Sequence, residues 1–272
     1  MTVAAAYLVS EGVVLGADSS TMISRPAGPG ESEVLQLLNQ SQKVFEVGEN
    51  SRLGVCAWGA GSFGNISHRT AIARLAEKIT KDMTIQNAGK ALGKIVEPLV
   101  KNSGVEFAGY YLGGWEPGSH DPACVKVEIN QEAVKVDSLP LGMCSFSGMP
   151  HFFTRVFRGY DPRMRQNLCE EIKRLVPDGD IPANFDKIFK KAFKKVSAPL
   201  IAAEFKDLPI REAIDFVYSY LHITVKATKF RFGAPAVGGP IEIGFITTDR
   251  PFRWVCHKRF SSAILEQEGI YG

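Results

Sequence analysis

Residues 2–21 read TVAAAYLVSEGVVLGADSST, and this stretch decides the fold class. Small, β-branched and apolar side chains fill residues 2–9, and a second apolar run, VVLGA, covers residues 13–17. The pair Glu11-Gly12 lies between the two runs. Two short apolar runs joined by a glycine-containing turn are typical of a β-hairpin, so two antiparallel strands are predicted here.

A second hairpin is predicted within residues 42–65, which read QKVFEVGENSRLGVCAWGAGSFGN. Strand-like runs cover residues 43–47 and 52–58, and the turn-forming residues 48–50 separate them. The stretch 19–40 between the two hairpins is rich in serine, proline and glycine. We therefore expect a long loop there.

The rest of the chain alternates between helical and strand-like patterns. Two helices are predicted from about residue 66 onward, because apolar residues recur every three or four positions. The further predicted strands are 105–113, 124–129, 133–137, 241–247 and 252–257, and the further predicted helices are 163–176, 184–196 and 210–228. Because hairpins dominate, we expect an α+β fold with largely antiparallel sheets and helices on their outer faces. No linker or internal repeat divides the chain, so one domain over residues 1–272 is predicted.

The composition argues against several classes of function. A formal net charge of +3 over 272 residues is too small to indicate nucleic-acid binding. No window reaches the run of about 18 apolar residues that a membrane span needs, and no signal-peptide pattern is present. The five cysteines and five histidines show no metal-ligand spacing. We therefore expect a cytoplasmic protein with no metal, organic cofactor, nucleic-acid partner or membrane association.

Thr2 is the first candidate for chemistry. It directly follows Met1, and a small second residue permits removal of the initiator methionine. A threonine with a free amino terminus combines a hydroxyl nucleophile with its own base, because an α-amine titrates near pH 8 and is partly neutral at pH 7. The alternative interpretation is that Thr2 is merely a small residue that allows processing.

The context of Thr2 resembles the opening of proteasome β-subunits, which are N-terminal-nucleophile (Ntn) hydrolases. Asp18 lies sixteen positions after Thr2, which is the family's spacing between the nucleophile and its first catalytic-site aspartate. Lys43 takes the place of the family lysine, and Gly59 that of the glycine whose N–H binds the oxyanion. The sequence is thus identified as a divergent, bacterial-type proteasome homologue, with a middle region of about 100–200 that is longer than in a standard β-subunit.

The resemblance implies both a fold and an activity. The fold would be a four-layer α-β-β-α sandwich, and the activity would be hydrolysis of a peptide or a small amide through an acyl-threonine. In this scheme Thr2 attacks, Asp18 and Lys43 tune its amine, and Gly59 stabilises the oxyanion. The resemblance also implies a homo-oligomer.

The sequence departs from the family at two places that orient the threonine amine. The family has a serine after a glycine near the middle of the chain, whereas here Gly148 is followed by Met149. Ser145 or Ser147 is a candidate to replace that serine. The family's Asp-x-x-Ser pair before a Gly-Gly turn is replaced by Ala-Pro-Ala-Val at residues 234–237. These departures keep a second hypothesis open, in which the chain is a catalytically inactive structural or assembly subunit.

Residues 59–64, GAGSFG, also match the G-x-G-x-x-G pattern of dinucleotide-binding folds. That pattern belongs to the first strand of a βαβ unit, where it lets pyrophosphate approach a helix. Here the preceding strand closes a predicted hairpin. We therefore interpret these glycines as a tight strand-to-helix turn that exposes a backbone N–H.

Overall fold

A computed structural model describes residues 2–28, 31–49, 51–149, 152, 154–155, 161, 163–175, 185–196, 205–230 and 237–258. The chain divides into two compact units. One comprises Met1–Met149 and Phe205–Gly272, and the other comprises Pro150–Glu204. The one-domain organisation inferred from the sequence stays a prediction.

The first unit contains twelve described strands and three described helices. The strands are β1 Val3–Val9, β2 Gly12–Ala17, β3 Thr21–Gly28, β4 Glu31–Leu38, β5 Val44–Glu46, β6 Leu53–Gly59, β7 Phe107–Trp115, β8 Pro122–Asn130, β9 Val134–Ser138, β10 Cys144–Gly148, β11 Glu242–Thr247 and β12 Arg250–Cys256. Its helices are α1 His68–Ala76, α2 Ile85–Ser103 and α5 Ile210–Lys229.

Two five-stranded sheets and one separate hairpin organise these strands. The first sheet has the order β10-β1-β2-β11-β12, the second has the order β5-β6-β7-β8-β9, and β3 pairs with β4 alone. Each described strand pairing is antiparallel. The α+β class, the antiparallel sheets and the first hairpin are as predicted from the sequence.

The inner faces of the two sheets share one apolar cluster. Ala6 and Leu15 of the first sheet pack in it with Cys56 and Tyr111 of the second. Side chains alternate between the two faces of a strand, so every second residue of β1 and β2 points into this core. This accounts for the small apolar residues at the start of the chain.

Helices cover the outer face of each sheet. Leu75 of α1 and Leu92 of α2 are buried in a cluster with Tyr110 and Val127 of the second sheet. Helix α5 packs on β1, β2 and β11 of the first sheet. Apolar residues at helical spacing therefore face the sheets, as their periodicity predicts.

The second unit contains helices α3 Arg163–Leu175 and α4 Phe185–Val196. Before α3, the carboxylate of Asp161 accepts hydrogen bonds from the guanidinium groups of Arg155 and Arg163. Both helices lie at the predicted positions within one or two residues.

The sequence interpretation of residues 19–40 as a long loop is wrong. Thr21, Met22 and Ile23 pair with Leu38, Leu37 and Gln36, which extends the chain into the β3–β4 hairpin. Serine, proline and glycine suggested a loop, but apolar residues on both arms favour strands. Strand β10 was also not predicted, since its sequence CSFSG has little strand character and it forms by pairing with β1.

Candidate active site

The β1–β2 hairpin brings the start of β1 to the end of β2. Ala4 pairs with Ala17, so the residues just beyond this pair, Val3 and Asp18, lie opposite each other. The Val3 N–H donates to Asp18 Oδ1 at 3.1 Å, and the Asp18 N–H donates to the Val3 carbonyl at 3.2 Å. Asp18 therefore holds the residue that directly follows Thr2.

The carboxylate of Asp18 is fully buried and binds four donors. Besides Val3, it accepts hydrogen bonds from the N–H groups of Ser20 and Gly238, each at 3.0 Å. The Lys43 ammonium donates at 2.7 Å. A buried carboxylate is stable only when such donors replace the lost water, so this set explains how an aspartate sits in the core.

Lys43 is almost as deeply buried, with 6% of its surface exposed. Its Nζ donates to Asp18 Oδ1 at 2.7 Å and to the Ser20 carbonyl at 2.5 Å. Burial lowers the pKa of Lys43 below the ordinary value for lysine, and the negative charge of Asp18 opposes part of that shift.

The main chain of Lys43 is fixed from two sides. Its N–H donates to Glu242 Oε2 at 3.2 Å, and its carbonyl accepts the Ala57 N–H at 2.8 Å. Glu242 belongs to the first sheet and Ala57 to the second. Glu242 was not among the predicted site residues, although an acidic residue at the start of an otherwise apolar strand is a signal that the sequence offers.

Gly59 adopts a left-handed conformation with φ of +90° at the end of β6. A Cβ atom there would lie 2.9 Å from the Phe107 carbonyl oxygen, so the position requires glycine. The Ala60 N–H donates to the Phe107 carbonyl, at the edge of β6 that faces β7. The Ala57 N–H donates to the Lys43 carbonyl, at the opposite edge that faces β5. Because successive amides alternate between the two edges of a strand, the Gly59 N–H lies on the Lys43 side.

These residues surround a pocket of about 70 Å³. Its lining residues are Thr2, Ser20, Thr21, Met22, Ser41, Gln42, Lys43, Ala57, Gly59, Ala60, Gly61 and His68. Thr2, Lys43 and Gly59 thus line one pocket. Asp18 does not line it but is connected to it by its ion pair with Lys43.

His68 is a pocket residue that sequence reasoning missed. Its Nε2 lies 2.8 Å from the Ala60 carbonyl and its Nδ1 lies 2.8 Å from the Tyr110 hydroxyl. A carbonyl can only accept, so we assign the proton to Nε2 and an accepting role to Nδ1. Burial lowers the pKa of His68, which favours this neutral ring under the Gly59–Ala60 turn.

The two candidate serines of β10 make a different contact. The hydroxyls of Ser145 and Ser147 lie 2.9 and 2.7 Å from the Tyr111 hydroxyl, in the core between the sheets. Met149, at the family serine's place, is buried. Residues 234–236 lie outside the described part of the chain.

Among the described residues, His, Cys, Asp and Glu side chains form no group of three that could hold a metal ion. Within that same part, no helix is both long and apolar enough to cross a membrane.

The fold is similar to that of a solved structure of a protein from Hyphomicrobium. That structure is the Anbu (Gly-1) mutant from Hyphomicrobium sp. strain MC1, with a TM-score of 0.51 and 14% sequence identity. The alignment covers 96% of this chain and 88% of the other. Neither a protein-family model nor a curated protein matches the sequence. At this identity the likeness concerns the fold alone, and it supports a proteasome-like fold.

Proposed function

We propose that this protein is a threonine-type N-terminal-nucleophile amidohydrolase that acts on peptides. The observation that carries the proposal is the buried Lys43–Asp18 ion pair in the wall of the pocket that Thr2 also lines. Burying an ammonium and a carboxylate is unfavourable unless both are fully paired. An ion pair whose lysine lines the same small pocket as Thr2 is well suited to tune the chemistry of that threonine.

The proposed reaction begins once removal of Met1 frees the amine of Thr2. That amine accepts the hydroxyl proton, and Thr2 Oγ attacks the carbonyl carbon of the substrate. Collapse of the tetrahedral intermediate breaks the C–N bond, and the leaving amine takes the proton. Water then attacks the acyl-threonine ester, which regenerates the hydroxyl and releases the acid.

Lys43 and Gly59 would supply the electrostatics of these steps. A positive charge beside the Thr2 amine disfavours its protonation, so more of the amine is available as a base at neutral pH. The Gly59 N–H, on the Lys43 side of β6, is the candidate donor to the oxyanion.

The packing of the helices and sheets supports the further proposal that the fold is a four-layer α-β-β-α sandwich. The two sheets share a core, helices α1 and α2 pack on one sheet, and α5 packs on the other. In such a sandwich the start of β1 and the start of β5 meet at one edge, which suits a site built from Thr2 and Lys43.

A second candidate function is that of a catalytically inactive structural or assembly subunit. The observation that favours it is the contact of Ser145 and Ser147 with Tyr111, together with the buried Met149 at the family serine's place. Without an orienting hydroxyl the Thr2 amine would be held less firmly.

Intact-protein and peptide mass spectrometry tests the two functions. The purified chain should begin at Thr2, and a peptide β-lactone or epoxyketone should add its mass there. Thr2→Ala should abolish the adduct, whereas Thr2→Ser should keep part of it because the hydroxyl and the amine survive. Thr80→Ala is the matched control, since it removes an exposed threonine that does not line this pocket and should leave the adduct intact. If Met1 is retained and no adduct forms at Thr2, the result would contradict the hydrolase proposal and favour the inactive subunit.

A further inference from the structure

Glu242 is a buried carboxylate to which the proposed chemistry gives no role. It has no exposed surface and begins β11, where it pairs with Ala17, the residue before Asp18. A carboxylate at such a place in a sheet core is unfavourable without several donors. Its partners therefore indicate what it does.

Three groups contact this carboxylate. The Lys43 N–H donates to Oε2 at 3.2 Å, while His257 Nδ1 and Lys258 Nζ lie 3.1 and 3.3 Å from Oε1. Lys258 Nζ also donates to the Gln40 carbonyl at 3.0 Å. The Lys43–Glu242 contact thus joins the main chain before β5 to the first sheet, and Lys258 secures the carboxylate from its other side.

Lys43 connects this group to the candidate active site. The side chain of Lys43 binds Asp18, and its carbonyl binds the amide of Ala57, two residues before Gly59. Moving the Lys43 main chain would therefore move both the ammonium and the strand that leads to Gly59. Glu242 therefore controls the position of the Lys43 main chain through its hydrogen bond to the Lys43 N–H.

We propose that Glu242 is a positioning residue that fixes the Lys43 main chain and adds negative charge near the Lys43 ammonium. Hydrogen bonds to an ionised acceptor are shorter and stronger than neutral ones, so this carboxylate holds the amide better than a carboxamide would. Its charge also favours the protonated form of Lys43, which supports the same assignment. The link to catalysis depends on the proposed hydrolase function, whereas the control of Lys43 does not.

The test compares Glu242→Gln with the wild-type protein in two measurements. The first follows the ¹³Cε shift of Lys43 by NMR through a pH titration, with the signal assigned by its loss in Lys43→Ala. Loss of one nearby negative charge should lower the Lys43 pKa. The second measurement is the rate of Thr2 acylation by a peptide β-lactone. Its maximal value at saturating probe should fall by about tenfold, while the half-saturating probe concentration stays the same.

Glu116→Gln is the matched control. Glu116 also accepts a backbone N–H through its carboxylate, that of Ile85, but it does not line the Thr2 pocket. This variant should leave both measurements unchanged. If Glu242→Gln does not fold, the double variant Glu242→Gln/Lys258→Met removes both charges of the buried pair together and serves in its place.

The outcomes separate the two proposals. A lowered Lys43 pKa supports positioning by Glu242, even if the wild-type protein is never acylated and the hydrolase proposal falls. An unchanged Lys43 pKa in Glu242→Gln overturns the positioning role. In the double variant, the loss of the Lys258 charge offsets that of Glu242, so unchanged hydrogen exchange of the Lys43 amide overturns it instead. Normal acylation kinetics with a lowered Lys43 pKa would overturn its connection to catalysis.

Discussion

Lys43 is the residue on which the proposed chemistry depends most. Lys43→Ala should reduce the rate of Thr2 acylation by about 10²–10³-fold, because it removes the charge that keeps the amine neutral. Asp18 would keep its three backbone N–H donors but lose its charged partner, so the free energy of unfolding should fall while the chain still folds. Labelling kinetics, with circular dichroism as the check on folding, measure this. Lys101→Ala, which removes an exposed ion pair with Glu97, is the control. Unchanged labelling would make Lys43 an ordinary residue at the start of a strand.

His68 gives a pH dependence of stability whose sign follows from its burial. Burial lowers its pKa in the folded state below the unfolded value of about 6.5. As the pH falls through this value, the unfolded chain binds a proton that the folded chain does not, so the free energy of unfolding falls. In His68→Gln this part of the slope should disappear from urea unfolding measured between pH 7.5 and pH 5. A slope equal to that of the wild-type protein would contradict the assignment.

At the residue scale, the sequence identified four candidates by local context and family spacing. Thr2, Asp18, Lys43 and Gly59 were found in this way, and Asp18–Lys43 is a direct contact. Their roles stay predictions. Glu242 and His68 were missed because their importance depends on contacts across the sheets rather than on neighbours in sequence.

At the scale of elements, helix α2 depends on close contact with the second sheet. A Cβ atom on Gly89 would lie 2.7 Å from Val125 and 3.1 Å from Val136. Glycine normally costs a helix about 1 kcal/mol relative to alanine. Here Gly89→Ala should nevertheless lower the free energy of unfolding, since overpacking a buried contact costs about 1–3 kcal/mol.

Urea unfolding measures the effect of Gly89→Ala, and Asn87→Ala is the matched control. Asn87 lies on the exposed side of the same helix, so its replacement by alanine should be neutral or slightly stabilising. A stabilised Gly89→Ala variant would show that α2 can move away from β8 and β9 without loss.

Element type could be predicted wherever the pattern was long and periodic. Helix α5 was expected at 210–228 and ends one residue later. The β3–β4 hairpin was missed because Pro26 and the glycines nearby suggested a loop, whereas cross-strand pairing such as Met22 with Leu37 decides the conformation. Strand β10 depends in the same way on its partner β1.

At the scale of the whole molecule, we expect a homo-oligomer. The family resemblance implies assembly, and the β3–β4 hairpin exposes Ile23, Leu35 and Leu38. Sedimentation at micromolar concentration should therefore give a mass well above the 29.8 kDa of one chain. A single species of about that mass, under conditions where the protein is folded, would contradict this expectation.

The hydrogen-bond donors to Asp18 also have a consequence for the order of events during synthesis of the chain. Its carboxylate binds the N–H groups of Val3 and Gly238, which are separated by most of the chain. During synthesis, Thr2 would therefore emerge from the ribosome long before Gly238, whose N–H completes the set of donors to the Asp18 carboxylate. The growing chain carries its proposed nucleophile without the complete set of groups that hold it. Activity and completed folding would then arise together, which protects the nascent chain from its own chemistry.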